Sequence, residues 1–193
     1  MKKHSEDQPF ISRIRRWIIE RKKILKFLLV FIVSLSMFSF ILELESVQLS
    51  FINPHLNHVA WTCGKVLKSL GTDCDVYESS ISSAQFSVQV VKGCESIYPT
   101  VMLWAALLAY PQQGSRKTRW RWKIVGIIGG AVILFIMNII RVVTMFYIGM
   151  YFPSLFDLVH IYAWQALFIL LTLGVFLFWA AKAQKIEGKS VVN

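Results

Sequence analysis

Three side chains in this sequence are of the kinds that together perform acyl transfer: the thiol of Cys94, the guanidinium of Arg141 and the imidazole of His160. A thiolate attacks a carbonyl carbon, and it forms more readily near a helix N-terminus, an arginine or a histidine. An imidazole can take the thiol proton and later return it to a leaving amine. A guanidinium stabilises the oxyanion that develops between those steps. Each residue also has an ordinary reading when taken alone. A cysteine can fill space as a small apolar residue, an arginine can snorkel to lipid headgroups, and a histidine can cap or anchor a helix. The chemical reading gains weight only if the three converge, and that depends on the elements that carry them.

Those elements are apolar. The chain has 193 residues, 55% hydrophobic and 17% charged, with mean hydropathy +0.54, less charge than a soluble domain of this size carries. Its apolar residues fall into four runs, which predict membrane-spanning helices at about 24–42, 94–111, 124–151 and 158–181. The second run, Ile97 to Tyr110, is short against the roughly 20 residues a spanning helix needs. The first follows a polar stretch and lacks a small-x-small cleavage pattern, so an uncleaved helix is expected. The predicted class is an all-α polytopic membrane protein. A basic arm at 1–23 and a tail at 182–193 flank one transmembrane catalytic domain at 24–181.

Charge sets the expected orientation. The net charge is +10, and 17 of the 21 Lys and Arg residues lie before the first run or at its start (Lys26), between runs two and three, or in the tail. Four spans put all three segments on one side, and basic loops stay cytoplasmic, so both termini are expected inside. The charge thus records topology and attraction to anionic lipid rather than a nucleic-acid partner. Segment 43–93 is expected outside, with a short amphipathic helix from Leu56 to Leu70 closed by Gly71. A β-hairpin should follow over 76–91, where Phe86, Val88 and Val90 alternate with polar residues and Ile81-Ser82-Ser83 could form the turn.

This topology brings the three reactive groups together. Cys94 falls at the outer end of run two, and His160 in the first turn of run four. Arg141 lies 17 residues beyond Ile124, a rise of about 26 Å, which carries it near the outer boundary of the hydrocarbon core. Supporting residues have two readings each. Asn138 could orient the guanidinium or bond to another helix, and Asp157 could fix the His160 tautomer or, more simply, favour the helix N-terminus. Tyr98 and Trp164 could line the pocket or anchor at the interface. Glu95 opposes thiolate formation and could instead serve the helix dipole or contact substrate. Cys63 and Cys74 are expected to pair as a disulfide in an oxidising compartment, leaving Cys94 free. Gly126 and Gly130 form a GxxxG spacing that predicts close helix packing. No HExxH pair, GxSxG elbow or Gly-rich phosphate loop is present, so neither metal nor organic cofactor is expected.

Gly93-Cys94-Glu95-Ser96-Ile97, Asn138-Ile139-Ile140-Arg141 and His160 after Phe156-Asp157-Leu158-Val159 resemble the three motifs of the exosortase/archaeosortase family. The tract from Tyr147 to Gln165 is most similar to the compact exosortase H subgroup. The resemblance implies a cysteine transpeptidase of the bacterial inner membrane, with Cys94 as nucleophile, Arg141 as transition-state stabiliser and His160 as acid and base. It implies as substrates exported proteins with a C-terminal tail of sorting motif, transmembrane helix and basic end. Glu95 departs from the small or neutral residue that many relatives carry there, and four spans are fewer than larger members have. Two other readings remain open at this point: a cysteine protease without transfer, and a non-catalytic scaffold or transporter subunit in which Arg141 pairs with a partner's acid.

Overall fold

The computed structural model describes the backbone of residues 8–93, 96–112 and 116–190, and the side chains of 21–93, 96–112 and 117–185. Its first helix, α1 (Gln8–Glu43), runs without a break from the basic arm into the first apolar run. A single turn, α2 (Glu45–Val47), and a π-helical turn over Gln48–Ile52 then lead into α3 (Asn53–Ser69). The amphipathic pattern expected there is realised. Leu56, Val59, Ala60, Cys63 and Leu67 are buried along one face, the spacing that a 3.6-residue period puts on one stripe. Gly71, at φ +86°, takes the left-handed conformation that closes the helix.

The expected hairpin is a three-stranded antiparallel sheet in the order β1 (Asp75–Tyr77), β2 (Ser80–Ser82), β3 (Ser87–Gln89). The first reversal falls at Glu78, which has φ +51°, so Ile81 and Ser82 lie in the central strand instead of the turn. Ile81 sits opposite both Val76 and Val88 and is fully buried. The apolar pattern over 86–90 survives as expected, with Val88 and Val90 more covered than Ser87 and Gln89.

Three more helices complete the chain: α4 (Ile97–Ala109), α5 (Arg116–Tyr151) and α7 (Trp164–Ser190). Between the last two lie a 3₁₀ turn at Pro153–Leu155, the single turn α6 (Phe156–Leu158) and a π-helical turn at Val159–Ala163. Helical segments Arg21–Glu43, Lys117–Tyr151 and Pro153–Lys185 are long and apolar enough to cross a membrane. The second of the four expected spans is a shorter apolar helix, the 13-residue α4, about 20 Å long. The basic stretch placed between runs two and three is itself the start of α5 from Arg116 onward. Ile32, Phe40, Ile128, Ile136, Leu170 and Phe178 are among many large apolar side chains left more than half exposed, as lipid-facing positions require.

Two clusters form the core. One packs α3 and the sheet on Ile139, Val142, Val143 and Phe146 of α5; the other joins Leu103 and Leu107 of α4 with Leu134, Trp164, Phe168 and Trp179. Close packing at the GxxxG pair is confirmed: a Cβ at Gly126 would meet the Trp179 indole at 2.5 Å, and one at Gly130 would strike Leu103. Gly149 gives the sheet its seat on α5, because the Phe86 ring occupies the space a side chain there would take. The expected Cys63–Cys74 disulfide is absent. Both are buried free thiols, and the Cys74 thiol points at the Gly64 carbonyl, 3.8 Å from Sγ. Burial pushes the Cys63 thiol up to about 12 and raises that of Cys74 as well.

Candidate active site

Arg141 is the hub of the site. It sits on α5, half-buried, with Cζ 5.5 Å from the centroid of the Phe168 ring on α7, within cation–π range. It lines two separate hollows. The larger is a groove of about 430 Å³ bounded by Leu35 of α1, Gly93, Tyr98, Pro99 and Met102 of the α4 region, and Gln165 and Thr172 of α7. The smaller, about 30 Å³, is walled by β3 residues Val88 and Gln89 together with Phe156 and His160, and has room for about one water molecule. Arg141 thus borders both the groove lined by Gly93 and the hollow that holds the imidazole. Cys94 and Glu95 lie outside the described residues.

His160 is half-buried within the π-helical turn that opens the last span. Its ring meets Phe156 edge-on at 5.6 Å, and Phe156 meets Phe86 at 5.8 Å. Phe86 in turn packs edge-on against Phe146 of α5 at 5.7 Å. A file of aromatic rings therefore ties the imidazole to the sheet and to the helix that carries Arg141. Asp157 is exposed in the first turn of α6, the place where a carboxylate favours a helix N-terminus.

Asn138 behaves differently from either expectation. It is fully buried on α5, yet neither atom of its carboxamide has a hydrogen-bond partner among the described residues, so it does not orient the guanidinium. Trp164 is buried against Phe168, 6.3 Å between ring centroids, and belongs to the core rather than to an interface belt. Tyr98 does line the groove, and its hydroxyl donates to Glu43 Oε1 at 3.2 Å.

That last bond leads to a residue the motif search missed. Glu43, the final residue of α1, also accepts from Lys92 Nζ at 2.7 Å and from Gln48 Nε2 at 3.3 Å, both on Oε2. One carboxylate therefore holds the residues two before and four after Cys94. Gly93, between the tether and the cysteine, adopts φ +93°, a conformation that favours glycine. Lys92 is held protonated to a higher pH than usual, chiefly by its hydrogen bond with Glu43. Separations of 49 and 55 residues leave no trace of this tether in local sequence. Gln165 and Thr172 were missed because they lie off the motifs, although positions 165, 168 and 172 share one face of a helix.

Elsewhere, a nearly all-apolar chamber of about 520 Å³ lies between α1, α3, α4 and α5, lined by Phe38, Phe51, His55, Ile97, Trp104 and Phe135 among others. Among the described residues, no cluster of His, Cys, Asp or Glu could hold a metal ion. The sequence model of transmembrane exosortases (Exosortase_EpsH) matches residues 21–179 of this chain. Comparison with curated proteins and with solved structures gave no match.

Proposed function

Because this chain belongs to the transmembrane exosortase family, we propose that it is a membrane cysteine transpeptidase, with Cys94 as nucleophile, Arg141 as oxyanion stabiliser and His160 as acid and base. One observation carries the assignment: Arg141 lines both the groove that starts at Gly93 and the hollow that holds His160. In this reading the Cys94 proton passes to His160 and the sulfur attacks the scissile carbonyl carbon of a peptide lying in the groove. The carbonyl oxygen becomes an oxyanion beside the guanidinium. The C–N bond then breaks, the imidazolium gives its proton to the departing amine, and a thioester remains on Cys94. An acceptor amine attacks the thioester carbon and loses its proton to His160, and the C–S bond breaks to regenerate the thiol.

The substrates are exported proteins ending in a sorting motif, a transmembrane helix and a basic cluster. The placement of basic residues supports an inner-membrane topology with both ends cytoplasmic and the groove opening toward the periplasm. The test is co-expression with a tailed substrate, followed by mass spectrometry of the Cys94 peptide. A thioester adduct is expected with the wild type, and none, with no processing, in Cys94→Ala. Processing that persists in Cys94→Ala would falsify the assignment. An acceptor amine that fails to divert product from hydrolysis would leave a protease rather than a transpeptidase.

A further inference from the structure

A fourth hollow, at the opposite end of the helices, has a different character. It holds about 520 Å³ between α1, the end of α4 and the first turns of α5, and four cations line it: Lys23, Lys26, Arg119 and Lys123. No acidic side chain is among its lining residues. The start of α5 makes this sharper. Arg116, Lys117, Arg119, Arg121 and Lys123 crowd the first two turns, and the first turn contains no acid. A helix N-terminus carries partial positive charge and favours anions, so these cations stand where unaided electrostatics would oppose them. A bound anion would relieve the conflict.

Two further features say what kind of anion. Gln112 is only 9% exposed and lines this hollow, and its Oε1 has no hydrogen-bond partner among the described residues. Its backbone carbonyl is engaged, accepting from Arg119 at 3.4 Å, so the unsatisfied atom is the side-chain acceptor. It asks for a hydroxyl or amine donor on the ligand. The remaining wall is apolar or aromatic: Phe27, Val30, Leu108, Tyr110 and Trp120, with Trp and Tyr being the residues that settle at headgroup depth.

We propose that this hollow is a binding site for an anionic glycerophospholipid with a hydroxylated headgroup, of the phosphatidylglycerol type. The phosphodiester sits among Lys23, Lys26 and Arg119, a headgroup hydroxyl donates to Gln112 Oε1, and the first acyl carbons lie along Phe27 and Val30. Lys123 donates one of its three N–H groups to the Leu108 carbonyl at 2.7 Å, and adds its charge to the hollow. The site is remote from the Arg141 groove and stands whether or not the proposed reaction does.

The experiment uses the full-length protein in neutral detergent, with native mass spectrometry counting retained lipid and a thermal melt following stability. Added phosphatidylglycerol should be retained and raise the melting midpoint, whereas phosphatidylcholine should do neither. Lys26→Gln with Arg119→Gln should weaken retention about 25-fold, two cations at roughly fivefold each, and Lys26→Arg should bind as the wild type does. Gln112→Leu should bind phosphatidylglycerol about threefold more weakly while leaving phosphatidylmethanol, which lacks headgroup hydroxyls, unchanged. Equal retention of phosphatidylglycerol and phosphatidylcholine, or no loss in the double variant, overturns the site. A shift produced equally by inorganic phosphate overturns the lipid assignment in favour of a free anion.

Discussion

Two hollows flank the first turns of α4 and differ little in size, about 520 Å³ on the α3 side and about 430 Å³ on the α7 side. Their walls differ in kind. The first presents almost nothing but hydrocarbon and aromatic rings, and its one imidazole, His55, packs edge-on against Phe135 at 6.0 Å, with Nε2 buried and without a hydrogen-bond partner among the described residues. The second collects a guanidinium, a phenol, a carboxamide and a hydroxyl from three elements, next to the residue before Cys94. Volume therefore does not distinguish the two hollows. The convergence of polar groups does, because only those groups could stabilise charge as it develops.

The largest test of this contrast compares arginine with histidine. Arg141→Ala should lower substrate processing by roughly 100-fold or more, as expected for loss of an oxyanion donor. His55→Ala should stay within about twofold, because the chamber contributes packing rather than charge. Equal losses in a quantitative processing assay would erase the distinction between the two sides. Next comes the tether. Glu43→Ala should cost about tenfold in kcat through misplacement of the segment that leads from Lys92 to the groove, with little change in melting temperature, because the Glu43–Lys92 pair is solvent-accessible and such pairs add little stability. Glu43→Gln can still accept from Lys92 through its one carbonyl oxygen while its amide donates to the Tyr98 hydroxyl oxygen, and should recover most of the rate. If Gln serves no better than Ala, the carboxylate does more than hold the turn in place.

The smallest expected effect concerns pH. Burial, then the charge of neighbouring His58, pushes the His55 imidazole below its ordinary range. As pH falls, the unfolded chain takes up a proton at this position before the folded one does, so stability should decline through the ordinary imidazole range and be unaffected above it. Thermal melts between about pH 7 and pH 5 should show the midpoint falling for the wild type, and falling less for His55→Phe. A slope unchanged by that substitution would show that His55 carries none of the dependence.

Much of this architecture was legible because apolar runs, basic segments and a 3.6-residue stripe are local signals. The amphipathic α3, the small residues at Gly126 and Gly130, and the shared neighbourhood of Arg141 and His160 all followed from spacing. What escaped depends on contacts between distant residues or on single backbone angles. The three-stranded register turns on Glu78 adopting a left-handed φ, which composition does not announce. Cys63 and Cys74 looked like a pair by elimination, but both face the packed interior beneath the sheet. Asn138 sits at the right helical interval from Arg141, yet spacing alone could not reveal that its carboxamide bonds to nothing described.

The π turn at Val159–Ala163 has a mechanical corollary. A wide turn accommodates one residue more than an α-helical turn of the same chain direction, and each residue advances an α-helix by about 100°. Deleting one residue from this stretch would let the helix regularise while leaving Phe156 and Trp164 close to their present phase, because the wide turn already absorbs the surplus residue. A deletion from a regular turn of α5 or α7 has no such surplus to draw on and rotates what precedes it by about 100°, so the π turn is a place where the last span can lose a residue and keep its phase against the sheet.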